Sequence, residues 1–300
     1  FLFNMYRMSL KEELKSKRNS LSDSSLTTYS SILRNLYKKV FDDKPIKLSN
    51  FDKTKEIIEY IKDVPPNKRK SILSALVVLT DNEDYRKLML TDINKYNSFI
   101  KTQQKTDTQE QNWIEKDKIK EVFDRLEKDA KQIYKKQALN MNDLQSIQEY
   151  IIVALLGGLF IPPRRLLDFT EFRVKNISKD EHNYYNRGSL YFNHYKTKKH
   201  YGEQSVKVPK ELQAILVKWI KTNPNDYLLF DVNGNKLNSV KLNQRLNKIF
   251  NAKISVNNLR HSYLTDKFGD TIEKNKEIAN TMEQMGSSSQ QLTTYVKNDD

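Results

Sequence analysis

Four separated segments in the second half of the chain carry side chains suited to chemistry on a charged substrate. They are Pro162-Pro163-Arg164-Arg165, the basic turn YKTKKHYGEQ around Lys196, Asn257-Asn258-Leu259-Arg260-His261, and Met285-Gly286-Ser287 followed by Tyr295. Arginine stays charged at any physiological pH, and its planar fork can grip two phosphate oxygens at once. A lysine amine on a hairpin can hand a proton to a leaving oxygen. A tyrosine hydroxyl can act as a nucleophile, and a phosphotyrosyl ester keeps the bond energy needed for rejoining. Taken singly, each segment has an ordinary explanation: a solvated loop, an exposed turn, an ion pair or cap at a helix start, and packing near a terminus.

Composition narrows the chemistry. The chain has 300 residues, a length that suggests two domains. Lys and Arg number 52 against 38 Asp and Glu, a net charge of +14. Such a surplus points to a polyanionic partner, most often nucleic acid, with a generally basic solvated surface as the plain alternative. Cysteine is absent, which excludes disulfide scaffolds, Cys-ligated zinc, iron–sulfur clusters and thiol nucleophiles. Only four His occur and none form an HExxH pair, so neither a metal site nor a cofactor is expected. The apolar run at 150–160 is too short to cross a bilayer and reads as a buried helix, so no membrane partner is expected. Phe1-Leu2-Phe3 is too short for the apolar core of a secretion signal. The expected compartment is intracellular.

Periodicity supplies the elements that must hold these residues. Ser22-Asp23-Ser24-Ser25 is a cluster of N-cap types, followed by the helical stripe Leu26, Tyr29, Ile32, Leu33, Leu36, Tyr37 and Val40. Further helices are expected over 53–62, from 67 onward with Ile72, Leu73, Leu76, Val77 and Leu79 buried, and over 84–100. Pro65-Pro66 separates the first two of these. Lys68, Arg69 and Lys70 stand where a helix start could meet DNA phosphate. Residues 101–112 contain no apolar side chain and read as an exposed linker. Beyond it, 113–139 and 143–160 read as helices, the latter ended by Gly157-Gly158 and Pro162-Pro163. Short strands are expected at 190–192, 206–208 and 227–230. Helices are expected again at 211–221, 239–250, 258–268 and 273–285.

The order Arg165, hairpin Lys, Arg260, Tyr295 resembles the tyrosine recombinase (phage integrase) family. Arg165-Leu166-Leu167-Asp168 is similar to the family's first box, an Arg with an acid three residues on. Its Pro-Pro-x-Arg form is similar to the variant in recombinases of large DNA viruses and mobile elements. Asn258-Leu259-Arg260-His261-Ser262-Tyr263 resembles the second box, and Met285-Gly286-Ser287-Ser288-Ser289 through Tyr295 resembles the segment leading to the nucleophile. Residues 1–100 are similar to the family's helical core-binding domain in helix pattern. The resemblance implies a mainly α fold with a small antiparallel β-sheet. It implies a DNA-binding domain at 1–100, a linker at 101–112 and a catalytic domain at 113–300.

The same resemblance implies a site-specific recombinase or integrase that cuts and rejoins DNA through a 3′-phosphotyrosyl intermediate. It would act as a homo-tetramer on two duplexes, in the nucleoid, nucleus or viral factory of a host cell. Catalytic roles are implied for Arg165, Lys196, Asn257, Arg260, Ser287 and Tyr295. Lys198 and Lys199 stand as alternatives to Lys196. DNA-binding roles fall to Lys68, Arg69, Lys70, Arg164, Lys198, Lys199 and His261; Arg164 would meet the DNA backbone or solvent. Asn257 stands where the family usually has His or Lys, and Ser287 where it usually has His or Trp. An amide can donate to a phosphate oxygen but takes no proton, and Ser287 offers one hydrogen bond without an imidazole. His261 is a candidate base, or else packs structurally. Two other outcomes are open: a type IB topoisomerase using the same groups, and a catalytically impaired DNA-binding protein of recombinase descent.

Overall fold

The computed structural model describes residues 9–42 and 45–297, so Phe1-Leu2-Phe3 lies outside the described residues. The chain divides into two compact units after Lys105. Among the described residues no helix is long and apolar enough to cross a membrane.

The first unit is helical. α1 (Leu10–Lys17), not among the expected elements, starts at a capping box: the Ser9 hydroxyl accepts from the Glu12 N–H, and the Glu12 carboxylate accepts from the Ser9 N–H at 2.7 Å. α2 (Asp23–Phe41) is capped by Ser22 and buries Leu26, Leu33, Leu36 and Tyr37 from the expected stripe. α3 (Thr54–Ile61) is followed by α4 (Pro66–Thr80), which begins on a proline whose missing N–H costs nothing at that position. In α4 Leu73, Leu76 and Leu79 are buried, while Ile72 and Val77 are half-buried. α5 (Glu83–Thr102) lies against α4, and the Tyr85 hydroxyl donates to the Phe51 carbonyl at 2.8 Å.

One ion pair joins α4 to α5. Arg69 Nε and Nη2 donate to the two oxygens of Asp92 at 2.8 and 2.7 Å, and Nη1 donates to the Lys62 carbonyl. Asp92 is fully buried. Three of the five N–H groups of Arg69, expected to meet DNA, are thus engaged inside the unit. Lys70 lies over the Tyr96 ring at 3.4 Å, and Lys68 is exposed.

The segment 101–112 is exposed for the most part but is not a plain linker. α5 runs into it, and α6 (Asp107–Gln111) forms there on a Thr106/Gln109 capping box.

The second unit is built around α8 (Met141–Leu156). Residues 150–156 of α8 are all buried, as expected of a helix apolar on every side. It lies against α7 (Lys116–Ile133), which is shorter at both ends than the charged pattern predicts. α8 stops at Gly157-Gly158. Gly158 has φ +76°, and a Cβ there would stand 2.8 Å from Tyr263 Cδ2, so only glycine fits. The chain then passes Pro162-Pro163 into α9 (Leu166–Thr170) and β1 (Phe172–Arg173).

β2 (Asn183–Asn186), β3 (Ser189–Phe192), α10 (Lys198–Tyr201) and β4 (Gln204–Lys207) come next. The sheet order is β1-β2-β3-β4, antiparallel except for a parallel β1–β2 pair, so the expected antiparallel sheet is mixed. The strand expected at 227–230 makes isolated bridges only. Side chains satisfy part of its backbone instead: Phe230 N–H donates to Gln148 at 2.7 Å, Trp219 Nε1 donates to the Leu228 carbonyl at 2.9 Å, and Asn223 donates to the Tyr227 carbonyl at 2.9 Å.

α11 (Lys210–Thr222) and α12 (Ser239–Phe250) match expectation. The two helices expected at 258–268 and 273–285 are one, α13 (Val256–Gln284). No proline separates them, and Gly269 costs a helix only about 1 kcal/mol relative to alanine. A 3-10 turn (Ser289–Gln291) and α14 (Leu292–Tyr295) end the described fold.

Asn183, fully buried, ties α9 to the β3–β4 hairpin. Its Nδ2 donates to the Asp168 and His194 carbonyls, both at 2.7 Å, and its Oδ1 accepts from the N–H groups of Asn193 (2.8 Å) and His194 (2.7 Å). Both amide donors and both lone pairs of the oxygen are thus used.

Each of these two joints carries a measurable share of stability. Asp92→Ala should cost the first unit about 3 kcal/mol by leaving Arg69 unpaired; a chemical denaturation curve with that unit's transition unmoved would contradict this. Asn183→Leu orphans four backbone groups and should cost the second unit at least about 3 kcal/mol. It should also speed amide exchange at residues 193–198, and unchanged exchange there would show that the side chain does not hold the hairpin.

Candidate phosphate-binding site

The sequence at 162–165 leaves the chain little freedom. Two prolines fix their own φ angles and push the preceding residues toward extended backbone. Arg165 caps α9 in an extended conformation. Arg164 and Arg165 therefore leave this stretch just before α9, at the edge of a cavity of about 250 Å³. Arg260 lines the same cavity from the first turns of α13, and Tyr195, Thr197 and Gln204 line it from the hairpin. At about 30 Å³ per water, a hydrated phosphate group fits this volume.

The three arginines differ in how they are held. Arg164 Nε donates to Asp168 Oδ2 at 2.8 Å, and its Cζ lies 3.9 Å from the Phe192 ring centroid and 5.4 Å from that of Tyr195. It is a held wall of the cavity, its Nε committed to Asp168. The acid expected to serve Arg165 is thus bonded to Arg164. The side chains of Arg165 and Arg260 have neither a hydrogen bond nor an ion pair among the described residues. Asp168 is buried, and its Oδ1 has no hydrogen-bond partner. Burial pushes its carboxyl above the usual carboxylate range, against the pull of Arg164, Arg165 and Arg260. One carboxylate therefore faces three guanidiniums, and the cavity keeps a surplus of positive charge suited to an oxyanion.

The base of α13 is anchored within its own unit. The buried Ser262 hydroxyl donates to the Ile114 carbonyl, and Asn258 Nδ2 donates to the Asn112 carbonyl at 3.1 Å. A box between Ser255 and Asn258 caps the helix. Together with Gly158 against Tyr263, these contacts set where Arg260 emerges. Asn257 is exposed one turn before Arg260, and three-residue spacing puts the two on one side of the helix. His261 is exposed.

On the hairpin, Tyr195 is buried and donates its hydroxyl to the Gly202 carbonyl at 2.7 Å. Lys196 is exposed, between two residues that line the cavity. Lys198 Nζ donates to the Asp180 carbonyl at 3.2 Å, and Lys199 is exposed.

Ser287 and Tyr295 are not among the residues lining this cavity. Both lie past the end of α13; Ser287 Oγ pairs with Gln291 Oε1 at 2.5 Å, and Tyr295 is 56% exposed. Among the described residues no three His, Cys, Asp or Glu side chains gather to form a metal site. Sequence reasoning missed Asn183, a common polar type that nothing in its local pattern marks; Thr197 and Gln204 lie in the singled-out turn around Lys196 but carried no assigned role.

No protein-family model matches the chain, and no curated protein matches it. Two solved structures are similar to it. One is the XerH site-specific recombinase bound to palindromic difH substrate in a post-cleavage complex, with 14% identity, 86% of this chain and 83% of that chain covered, and a TM-score of 0.37. The other is the same recombinase bound to difH substrate in a pre-cleavage complex, with 14% identity, 97% and 91% covered, and a TM-score of 0.31.

Proposed function

We propose that the chain is a site-specific DNA recombinase of the tyrosine type, an integrase of a virus or mobile element. It works as a homo-tetramer on two duplexes, wherever its host keeps the target DNA. One observation carries the reading: Arg165 and Arg260, distant in sequence and both lacking an acidic partner, line a single cavity in a chain of net charge +14.

Arg165 and Arg260 hold the non-bridging oxygens of the scissile phosphate and stabilise the charge that builds on them. The Tyr295 oxygen attacks phosphorus, forming a P–O bond as its proton passes to water. The bond to the 5′ oxygen breaks, and that oxygen takes a proton from Lys196. The reverse sequence, with a 5′ hydroxyl as attacking group, reseals the strand. Asn257 donates an amide hydrogen bond to the phosphate from the Arg260 side of α13. Ser287, whose hydroxyl donates to Gln291 Oε1, becomes a donor near the tyrosine once that bond is released. Arg164 keeps Asp168 and the hairpin aromatics in register. Lys68, Lys70, Lys199 and His261, together with Lys198 beside the hairpin, supply phosphate contacts along the duplex, which makes binding salt-dependent.

A second reading has a specific observation in its favour. Asn257 and Ser287 stand where a proton acceptor would help the tyrosine, so a DNA-binding protein that does not cut is the competing outcome. Incubation with nicked suicide duplexes separates the two. Wild-type protein should become covalently joined to the DNA, and Tyr295→Phe should bind the same duplex within about threefold of wild type yet form no adduct. Arg165→Ala should lower the trapping rate about 10²–10³-fold. An adduct with Tyr295→Phe rules out Tyr295 as nucleophile. Tight, salt-sensitive binding without any wild-type adduct selects the non-cutting protein.

A further inference from the structure

A second cavity, of about 160 Å³, lies in the second unit between α7, α8 and α11. It shares no lining residue with the arginine cavity. Small side chains open it: Ala130 on α7 and Ala214 on α11, with Ile215 beside them, leave space that longer residues would fill. Two rings complete the wall. Tyr150 of α8 is buried, and Tyr134 caps the end of α7. About 150 Å³ of apolar space is enough for a benzene ring, so this cavity has room for one ring and a small substituent.

The polar groups around the cavity are unbalanced. Glu127 is committed twice: one oxygen meets Lys131 Nζ at 2.8 Å, and the other accepts from the Tyr150 hydroxyl at 3.3 Å. Lys218 has no acidic partner among the described residues, and its Nζ lies 4.0 Å from the centroid of the Tyr134 ring. The Tyr134 hydroxyl is buried and has no hydrogen-bond partner among the described residues. A buried donor without an acceptor is rare in a folded protein and points to a missing partner. Burial pushes this phenol up to about 12, so it stays protonated and able to donate at physiological pH. Two lysines against one glutamate leave the lining with one positive charge. An ammonium and an O–H donor therefore stand at the same ring, and neither has an acceptor. An oxyanion answers both, and a cation answers neither.

We propose that this cavity is a binding site for a one-ring aromatic carboxylate. The ring packs against Ala130, Ile215 and Tyr150. The carboxylate accepts from the Tyr134 hydroxyl and from the Lys218 ammonium, while Glu127 stays with Lys131 and Tyr150. The site is independent of the strand-transfer reading above.

Sodium benzoate tests it on the full chain carrying ¹³C-methyl alanine and isoleucine. The methyl signals of Ala130, Ala214 and Ile215 should move together and saturate with a dissociation constant below about 1 mM. Tyr134→Phe and Lys218→Met should each weaken binding about tenfold or more. The first removes only a hydroxyl without a partner and the second an exposed charge, so both variants keep the fold. Acetate, which lacks the ring, and benzyl alcohol, which lacks the charge, should each bind at least about tenfold more weakly than benzoate. No saturation up to about 10 mM benzoate overturns the proposal. Undiminished binding by either variant overturns it too, and so does equal binding of acetate or benzyl alcohol. Benzoate also suits the arginine cavity, so Arg260→Ala is the control. Methyl shifts that survive this change agree with the site between α7, α8 and α11, and shifts that vanish with it assign the ligand to the arginines and overturn the proposal.

Discussion

Two guanidiniums without acidic partners, turned into one cavity beside a third, repel one another, and the rest of the second unit exists to hold them there. In general, two like charges about 6 Å apart at an effective dielectric near 20 repel by roughly 3 kcal/mol. Asp168 offsets part of this, but it is spent first on Arg164. The remainder is borne by the surrounding packing: the α8 core, the glycine turn against Tyr263, the Ser262 hydroxyl on the Ile114 carbonyl, and the four hydrogen bonds of Asn183. A bound phosphodiester turns this repulsion into attraction. A site pre-organised in this way needs little rearrangement when charge develops on the phosphate.

The contrast between Arg69 and Arg165 shows why charge alone identifies no site. Both are arginines near a helix start in a basic chain. Arg69 meets a buried carboxylate, and three of its five N–H groups are engaged. Arg165 meets a carboxylate already engaged by its neighbour, and its fork stays open. The functional distinction lies in what the acid is doing, and that is a property of the fold.

The same division separates what is legible in the sequence from what is not. Apolar spacing places α2, α4, α5, α11 and α12 because a one-sided stripe must be buried whatever the tertiary context. Arg165 and Arg260 are legible from residue type and order. The Arg69–Asp92 pair is not legible because Asp92 is a whole helix away in sequence. The strand expected at 227–230 is reduced to isolated bridges, its backbone bonded in part by the side chains of Gln148, Trp219 and Asn223 and in part by the Phe172 carbonyl, which accepts from the Leu228 N–H at 2.8 Å. The short strands β1 and β2 carry too few β-formers to announce themselves, and the mixed sheet is hidden with them. The single helix α13 reads as two because a glycine weakens a helix without breaking it. That last difference bears on the site, since Tyr295 follows this helix and is not among the residues lining the arginine cavity.

The most direct test of the arginine pair needs no target sequence. The Nε–H signals of Arg165 and Arg260 can be followed by ¹⁵N NMR as a thymidine dinucleotide with one phosphodiester is added. If the two guanidiniums share a phosphate, both signals move along one titration curve with a common dissociation constant, while Arg69, locked to Asp92, stays still. Movement of only one of the pair, or two different dissociation constants, would show that they serve separate purposes and would contradict the site described here.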